Sequence, residues 1–390
     1  MLVVFLAELP AQGQDHELRG LQLAEPADVR PYGNWAQPKT GFFFDFEGIF
    51  WTISPPKVTT VGFPGLTREV FTGPTTAFET TETNTMETNF RAKWKQGDRI
   101  QLGYQGEHHG WLVETIETNT QTQHLAGQHV SVVFDDPVNA AGNQLLTGNV
   151  GTDINGNIVI ANVPINFYTL QTTNRTALQG VEAAYVYRAH QLHRGATLEW
   201  MLGARYFYLY DDFQAVGYGG FQGPTPTLAS TQFDSQWDNT VRNRVVGPQL
   251  GLRYVHPVGR CSLSAEGRFM AGLNAQAVHL TGGLAASLTN PPNTALLQPE
   301  LMRATAFDHS ANFYEFAPLA ELRVEAHVQI TRLIQAKVGW TGFWMNGIGR
   351  ASNMIEYTVP DLQITKGIGF HGYRQDLFVQ GLTLGIELNR

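Results

Sequence analysis

Charged residues of both signs recur at intervals of two in this chain: Glu321, Arg323 and Glu325 in one run, Glu266 and Arg268 in another. Glu182, Glu199, Arg205, Arg253 and Lys337 hold equivalent places in neighbouring runs. A spacing of two puts side chains on one face of a β-strand. Such a face can line a polar passage for small solutes. Alternatively, its opposite charges can pair and fill an enclosed space. These residues are the candidate lining of a lumen.

Covalent chemistry is poorly provided for. A hydrolase needs a nucleophile beside a base and an orienting carboxylate. His327 shares a face with Glu325, but spacing supplies no serine partner. No catalytic residue is assigned, and the chain is not read as an enzyme. His108 and His109 are adjacent, so on a strand they would point to opposite faces; with His124 and His129 downstream they read as a solvated turn rather than a metal set. Asp153-Ile154-Asn155-Gly156-Asn157 resembles the opening of a calcium loop but lacks the closing glutamate. It reads as a hairpin turn, with Asn155-Gly156 favouring type I′. Cys261 is the lone cysteine, so no internal disulfide can form; it is expected to face lipid or the adjacent turn. No metal and no cofactor is assigned.

The elements that position these residues are strands. In the longest run, Tyr314, Phe316, Pro318, Ala320, Leu322, Val324, Ala326, Val328 and Ile330 alternate with Glu315, Ala317, Leu319, Glu321, Arg323, Glu325, His327 and Gln329. Strands of soluble proteins usually stop at about 5–6 residues. The length, the apolar face and the charged face together predict a transmembrane β-barrel. A soluble sandwich would leave many Phe, Tyr and Trp side chains in water.

Further strands are expected over 41–53, about 89–105, 111–134, 176–189, 198–211, 240–256 and 262–271, and after the long run from Ile334 and again up to Asn389. Short turns at Gly106–Gly110, His190–Gly195, His256–Gly259 and Thr331-Arg332 alternate with long segments, including 135–170, 217–230, 282–308 and 351–370. The expected fold class is all-β: a closed antiparallel barrel of about ten strands, ten to twelve allowing for 118–175, with short periplasmic turns and long outer loops. Tyr206, Tyr208, Tyr210, Tyr314, Phe316, Trp340 and Trp344 cluster toward strand ends on the long-loop side and read as a membrane girdle.

Composition agrees. Charged residues make up 15% of the 390 residues, with a net charge of -8; soluble domains carry roughly 25%. There is no apolar run of the length a membrane helix needs, and a barrel escapes that test because inward residues dilute its apolar ones. No Lys/Arg block points to a nucleic-acid partner. Residues 1–13 contain an apolar run, Leu2–Ala7, and read as the remnant of a signal peptide. Residues 14–40 read as an irregular periplasmic lead-in, and 41–390 as the barrel.

Several segments carry a family resemblance: Gly203–Leu209 with Asp211 and Asp212, Asn243–Gly251, Phe316–Leu322, Val338–Trp344 closed by Ile348–Arg350, and Val379–Glu387. In order and spacing the chain resembles the β-barrel porin family typical of planctomycete bacteria. The resemblance implies a place in the cell outer membrane. Expected partners are outer-membrane lipid, the barrel-insertion machinery and a small-solute permeant. The expected function is porin-like passage of small solutes through a narrow polar lumen. The alternative is a non-conducting barrel acting as a surface structural or adhesion anchor through its outer loops. Barrel size bears on the choice, because about eight strands leave an interior filled by side chains and 16–18 an aqueous channel.

Overall fold

A sheet whose outer face meets lipid has no water to satisfy an open edge, so it must close on itself. The computed structural model shows that closure; it describes residues 40–61, 85–132, 150–152, 158–160, 165–192, 195–218, 235–284, 305–355, 368–369 and 372–389. The barrel strands are β1 (Gly41–Ile53), β2 (Trp94–Gln105), β3 (His109–Thr118, continuing as Gln121–Val132), β4 (Ile165–Arg188), β5 (Thr197–Tyr218), β6 (Ser235–Val258), β7 (Cys261–Leu284), β8 (Thr305–Gln329), β9 (Ile334–Ile348) and β10 (Gln375–Asn389). Each pairs antiparallel with the next, and β10 closes on β1 from Phe43↔Asn389 to Ile53↔Val379. Among the described residues no helix is long and apolar enough to cross a membrane.

Among the described residues between 118 and 175 the barrel itself gains no further strand, because Gln121–Val132 pairs along the same edge of β4 as His109–Thr118. Glu117 pairs with Gln179 and Gln121 with Thr176, so Asn119-Thr120 carries one extra residue, a bulge. Thr118 caps the interruption, its Oγ1 accepting from the Leu178 N–H at 3.0 Å. Val150–Thr152 pairs with Ile158–Ile160, which brackets the expected Asn155-Gly156 hairpin; the turn itself lies outside the described residues.

Several strands begin elsewhere than alternation suggests. β4 starts at Ile165 rather than Thr176, β6 at Ser235 rather than about 240, and β2 at Trp94 rather than Asn89. The early part of β4 has Gln171, Thr173 and Arg175 on its outer face. No apolar alternation marks a strand that has already left the hydrocarbon.

This gives the barrel an uneven rim. A tilted strand needs about 9–11 residues to cross the hydrocarbon. On β6 the outward apolar set runs from Tyr254 through Leu252, Leu250 and Pro248 to Val246. The ten or so residues beyond it, back to Ser235, project past the membrane by roughly 25–30 Å. β4, β5, β7 and β8 project similarly, whereas β1, β2, β9 and β10 stop low. Val61, Met86 and Phe90, after β1, and Ala351, Met354 and Ile355, after β9, pack against Phe213, Trp237 and Leu280 on the inside of the tall wall.

Outside, the apolar belt is continuous. Leu250 is 52% exposed, Leu384 54% and Phe316 61%, while inward Glu47, Arg205 and Glu321 are at most 4% exposed. Bare apolar side chains around a polar interior invert a soluble protein and suit a lipid solvent.

Candidate functional site: the filled lumen

The strands deliver their inward side chains in layers along the barrel axis. Nearest the short turns, Leu112, Ala184, Val186 and Met201 pack with Phe43. Beside them runs a chain of ion pairs: Arg188 to Glu199 at 2.8 Å, Glu199 to Arg253 at 3.4 Å, then Arg253 to Glu266. Lys337 bridges Asp45 and Glu47, lying 2.7 Å from Glu47 Oε1.

At mid-barrel the charges meet. Glu114 lies 3.1 Å from Arg323, 3.5 Å from Arg99, 3.6 Å from Arg268 and 3.8 Å from Arg205. Arg205 also reaches Glu182 at 3.2 Å and Glu321. Arg268 pairs with Glu182 and Glu266. Arg323 adds Glu321 at 3.2 Å. Desolvating so many charges is tolerated only where each is matched by opposite charge at close range.

Above the charges sits an apolar layer: Ile49, Trp51, Phe207, Met270, Phe343 and their neighbours. Two guanidiniums join the layers, Arg99 over the Trp51 ring at 5.2 Å and Arg205 over Phe207 at 4.4 Å. Sequence alternation missed this layer. Apolar inward residues on β1, β5, β8 and β9 look like breaks in the polar face, although they are a second packing level.

Higher still, the chain leaves β9 and turns inward. Gly347 has φ +74, and a Cβ there would lie 2.5 Å from the Phe316 carbonyl oxygen, so only glycine turns the chain at this point. The following residues form a plug. Asn243 donates to the Gly349 carbonyl at 2.9 Å and accepts from its N–H at 2.8 Å. Asn274 and Gln276 donate to the Gly347 carbonyl, at 2.8 and 2.9 Å. Arg350 is paired with Asp211 and donates to the Ser54 carbonyl at 3.0 Å. Ala351, Met354 and Ile355 then join an outer apolar cluster with Phe213, Trp237 and Leu280 on the tall wall.

All the candidate lining residues lie in these layers. Glu182, Glu199, Arg205, Glu266, Arg268, Glu321, Arg323, Glu325 and Lys337 are buried, and Arg253 is largely so. Glu114, Asp45, Glu47, Arg99, Asp211 and Arg350 are buried with them, beyond the lining that the sequence assigns. Of the aromatic set, Tyr206, Tyr314, Phe316 and Trp344 are exposed on the outer face, and Tyr208, Tyr210 and Trp340 partly so.

The fold brings Ser264 to His327, which spacing had not shown. Its Oγ is 3.1 Å from Nε2, and Glu325 Oε2 is 3.4 Å from that same nitrogen. A relay needs its serine and carboxylate on opposite ring nitrogens, so this is a polar contact and not a charge-relay site. His108 packs on His190 with ring centroids 4.6 Å apart. Among the described residues no group of three or more His, Cys, Asp or Glu could hold a metal. Cys261 is exposed at the β6–β7 turn.

The sequence segments that carried the resemblance converge in this interior. Asp211, Asn243, Gly349 and Arg350 build the plug, while Phe207, Ala317, Phe343 and Val379 build the apolar layer beneath it. Solved structures similar to the chain include the outer membrane protease OmpT from Escherichia coli, at 8% identity and TM-score 0.40 over 92% of this chain and 99% of that one. The Ralstonia pickettii toluene transporter TbuX has 8% identity and TM-score 0.25, with 90% of each chain covered. A Pseudomonas aeruginosa FadL homologue has 8% identity and TM-score 0.21, with 89% of this chain and 90% of that one covered. No curated protein matches. The family model described as Putative beta barrel porin-7 matches residues 61–389, nearly the whole barrel, and the chain belongs to that family.

Proposed function

We propose that this protein is a non-conducting outer-membrane barrel whose working part is its outer end, a surface structural or adhesion anchor. The observation that supports this reading is the filled interior: mid-barrel Glu114, Arg205, Arg268, Glu321 and Arg323 are all at most 4% exposed, and the Gly347–Ile355 plug packs into the barrel above them. Ten strands leave little room beyond what such side chains occupy. The tall wall of β4–β8 supports the second half of the proposal, since the outer ends of its strands stand well clear of the lipid.

A second reading is favoured by the family description: passage of small solutes, gated by the plug. Movement of Arg350 away from Asp211 would be its first step. Liposome swelling separates the two. With the wild-type protein in vesicles, sugars and amino acids are expected to enter no faster than into protein-free vesicles. Swelling that scales with the amount of protein would support passage and remove the closed-anchor reading. Replacing residues 133–164 with a short turn should leave the barrel folded and abolish surface binding; unchanged binding would take the anchor role away from that segment.

A further inference from the structure

Arg242 and Arg244 occupy the next outward positions on β6 beyond Val246, where the apolar band ends. Across the β5 pairing they face Tyr210 and Tyr208; across the β7 pairing they face Ala277 and Ala275. The alanines leave the guanidiniums uncovered on one side, and the tyrosines flank them on the other.

Other outward charges at this height have partners. Arg175 lies 3.7 Å from Asp212, Arg374 2.7 Å from Glu315, and Gln214 holds Asp238 at 2.7 Å. Arg242 and Arg244 are exposed, and among the described residues neither has an ion pair or hydrogen bond. Two unmatched positive charges therefore sit at the edge of the hydrocarbon, on the long-loop side.

We propose that Arg242 and Arg244 form a binding site for the phosphate of an outer-leaflet lipid headgroup, with Tyr208 and Tyr210 seating the headgroup at the interface. A guanidinium offers a planar fork that matches phosphate oxygens in pairs. Tyrosine rings favour this depth, apolar body toward the chains and hydroxyl toward the headgroups. The occupant is a lipid because the site faces the bilayer, where headgroup phosphates are held at that height and at high local concentration. The site is independent of whether the lumen conducts.

The test uses the full chain folded in detergent micelles. Phosphatidic acid, phosphatidylcholine and inorganic phosphate are added separately, and retained molecules are counted by native mass spectrometry. Phosphatidic acid should be retained, and phosphatidylcholine, whose phosphate is offset by its own ammonium, should not. The double variant Arg242→Gln/Arg244→Gln should weaken retention roughly tenfold or more, at about fivefold per basic residue near a membrane surface. Arg242→Lys/Arg244→Lys should keep part of it. Arg260→Gln/Arg332→Gln, at the short-turn end, should leave it unchanged. Equal retention by the wild type and the double glutamine variant overturns the proposal. So does equal retention of the two lipids, or inorganic phosphate held as firmly as phosphatidic acid, which would make this a general anion site.

Discussion

Arg350, in the connection after β9, reaches across the barrel to Asp211 on β5, with Nε 3.1 Å from Oδ2 and Nη2 3.4 Å from Oδ1. Asp211 Oδ2 also accepts from the Ala351 N–H at 2.8 Å. One carboxylate thus holds both the side chain and the backbone of the plug. Arg350→Ala strands a buried carboxylate, a loss of about 3–5 kcal/mol. Urea unfolding of the protein in micelles should show a lower midpoint of that size. Restoring an apolar pair, Arg350→Met with Asp211→Leu, should recover part of the loss, since neither member is then left as an unpaired charge.

Glu114 is the hub of the mid-barrel charges. Glu114→Gln removes the carboxylate shared by four arginines and should destabilise by about 3 kcal/mol or more. Glu117→Gln is the control. That residue is exposed, with its carboxylate 3.0 Å from Gln179, and its loss should stay within about 0.5 kcal/mol. Thermal unfolding of the two variants side by side tests whether Glu114 carries this weight.

The barrel was legible from alternation because lipid and lumen impose opposite chemistry on neighbouring residues. β1 and the belt portions of β5–β10 show it plainly. Glu114 was not legible for a physical reason. It lies between inward Leu112 and Ile116, while Trp111 and Val113 face outward, so both faces of β3 look apolar and the register cannot be read. The plug was hidden because its recognition is largely backbone: Asn243, Asn274 and Gln276 hold carbonyls and an N–H of residues 347 and 349, which leaves no side-chain pattern. Only Asp211 and Arg350 mark it in the sequence, 139 positions apart.

Leu384 and Leu250 face outward in the belt. Leu384→Arg at that depth should cost about 2–4 kcal/mol in vesicles. Leu250→Ala should cost much less than a core truncation, because no well-packed protein cavity is created. Equilibrium unfolding in vesicles gives both values, and the reverse order would mean that protein, not lipid, covers these side chains.

Cys261 reports which side the short turns face. It is exposed at the β6–β7 turn, beside Gly259 with φ +63. In intact cells a membrane-impermeant maleimide should leave it unlabelled, and permeabilising the outer membrane should expose it. Labelling of intact cells would reverse the orientation.

Single-molecule recording in a planar bilayer tests the proposed closure of the lumen most directly. The wild-type protein should give no conductance steps across a range of voltages, while Gly347→Ala, which displaces the plug from its turn, should give at most brief openings. Regular ohmic steps from the wild type would contradict the account and return the protein to the open porins.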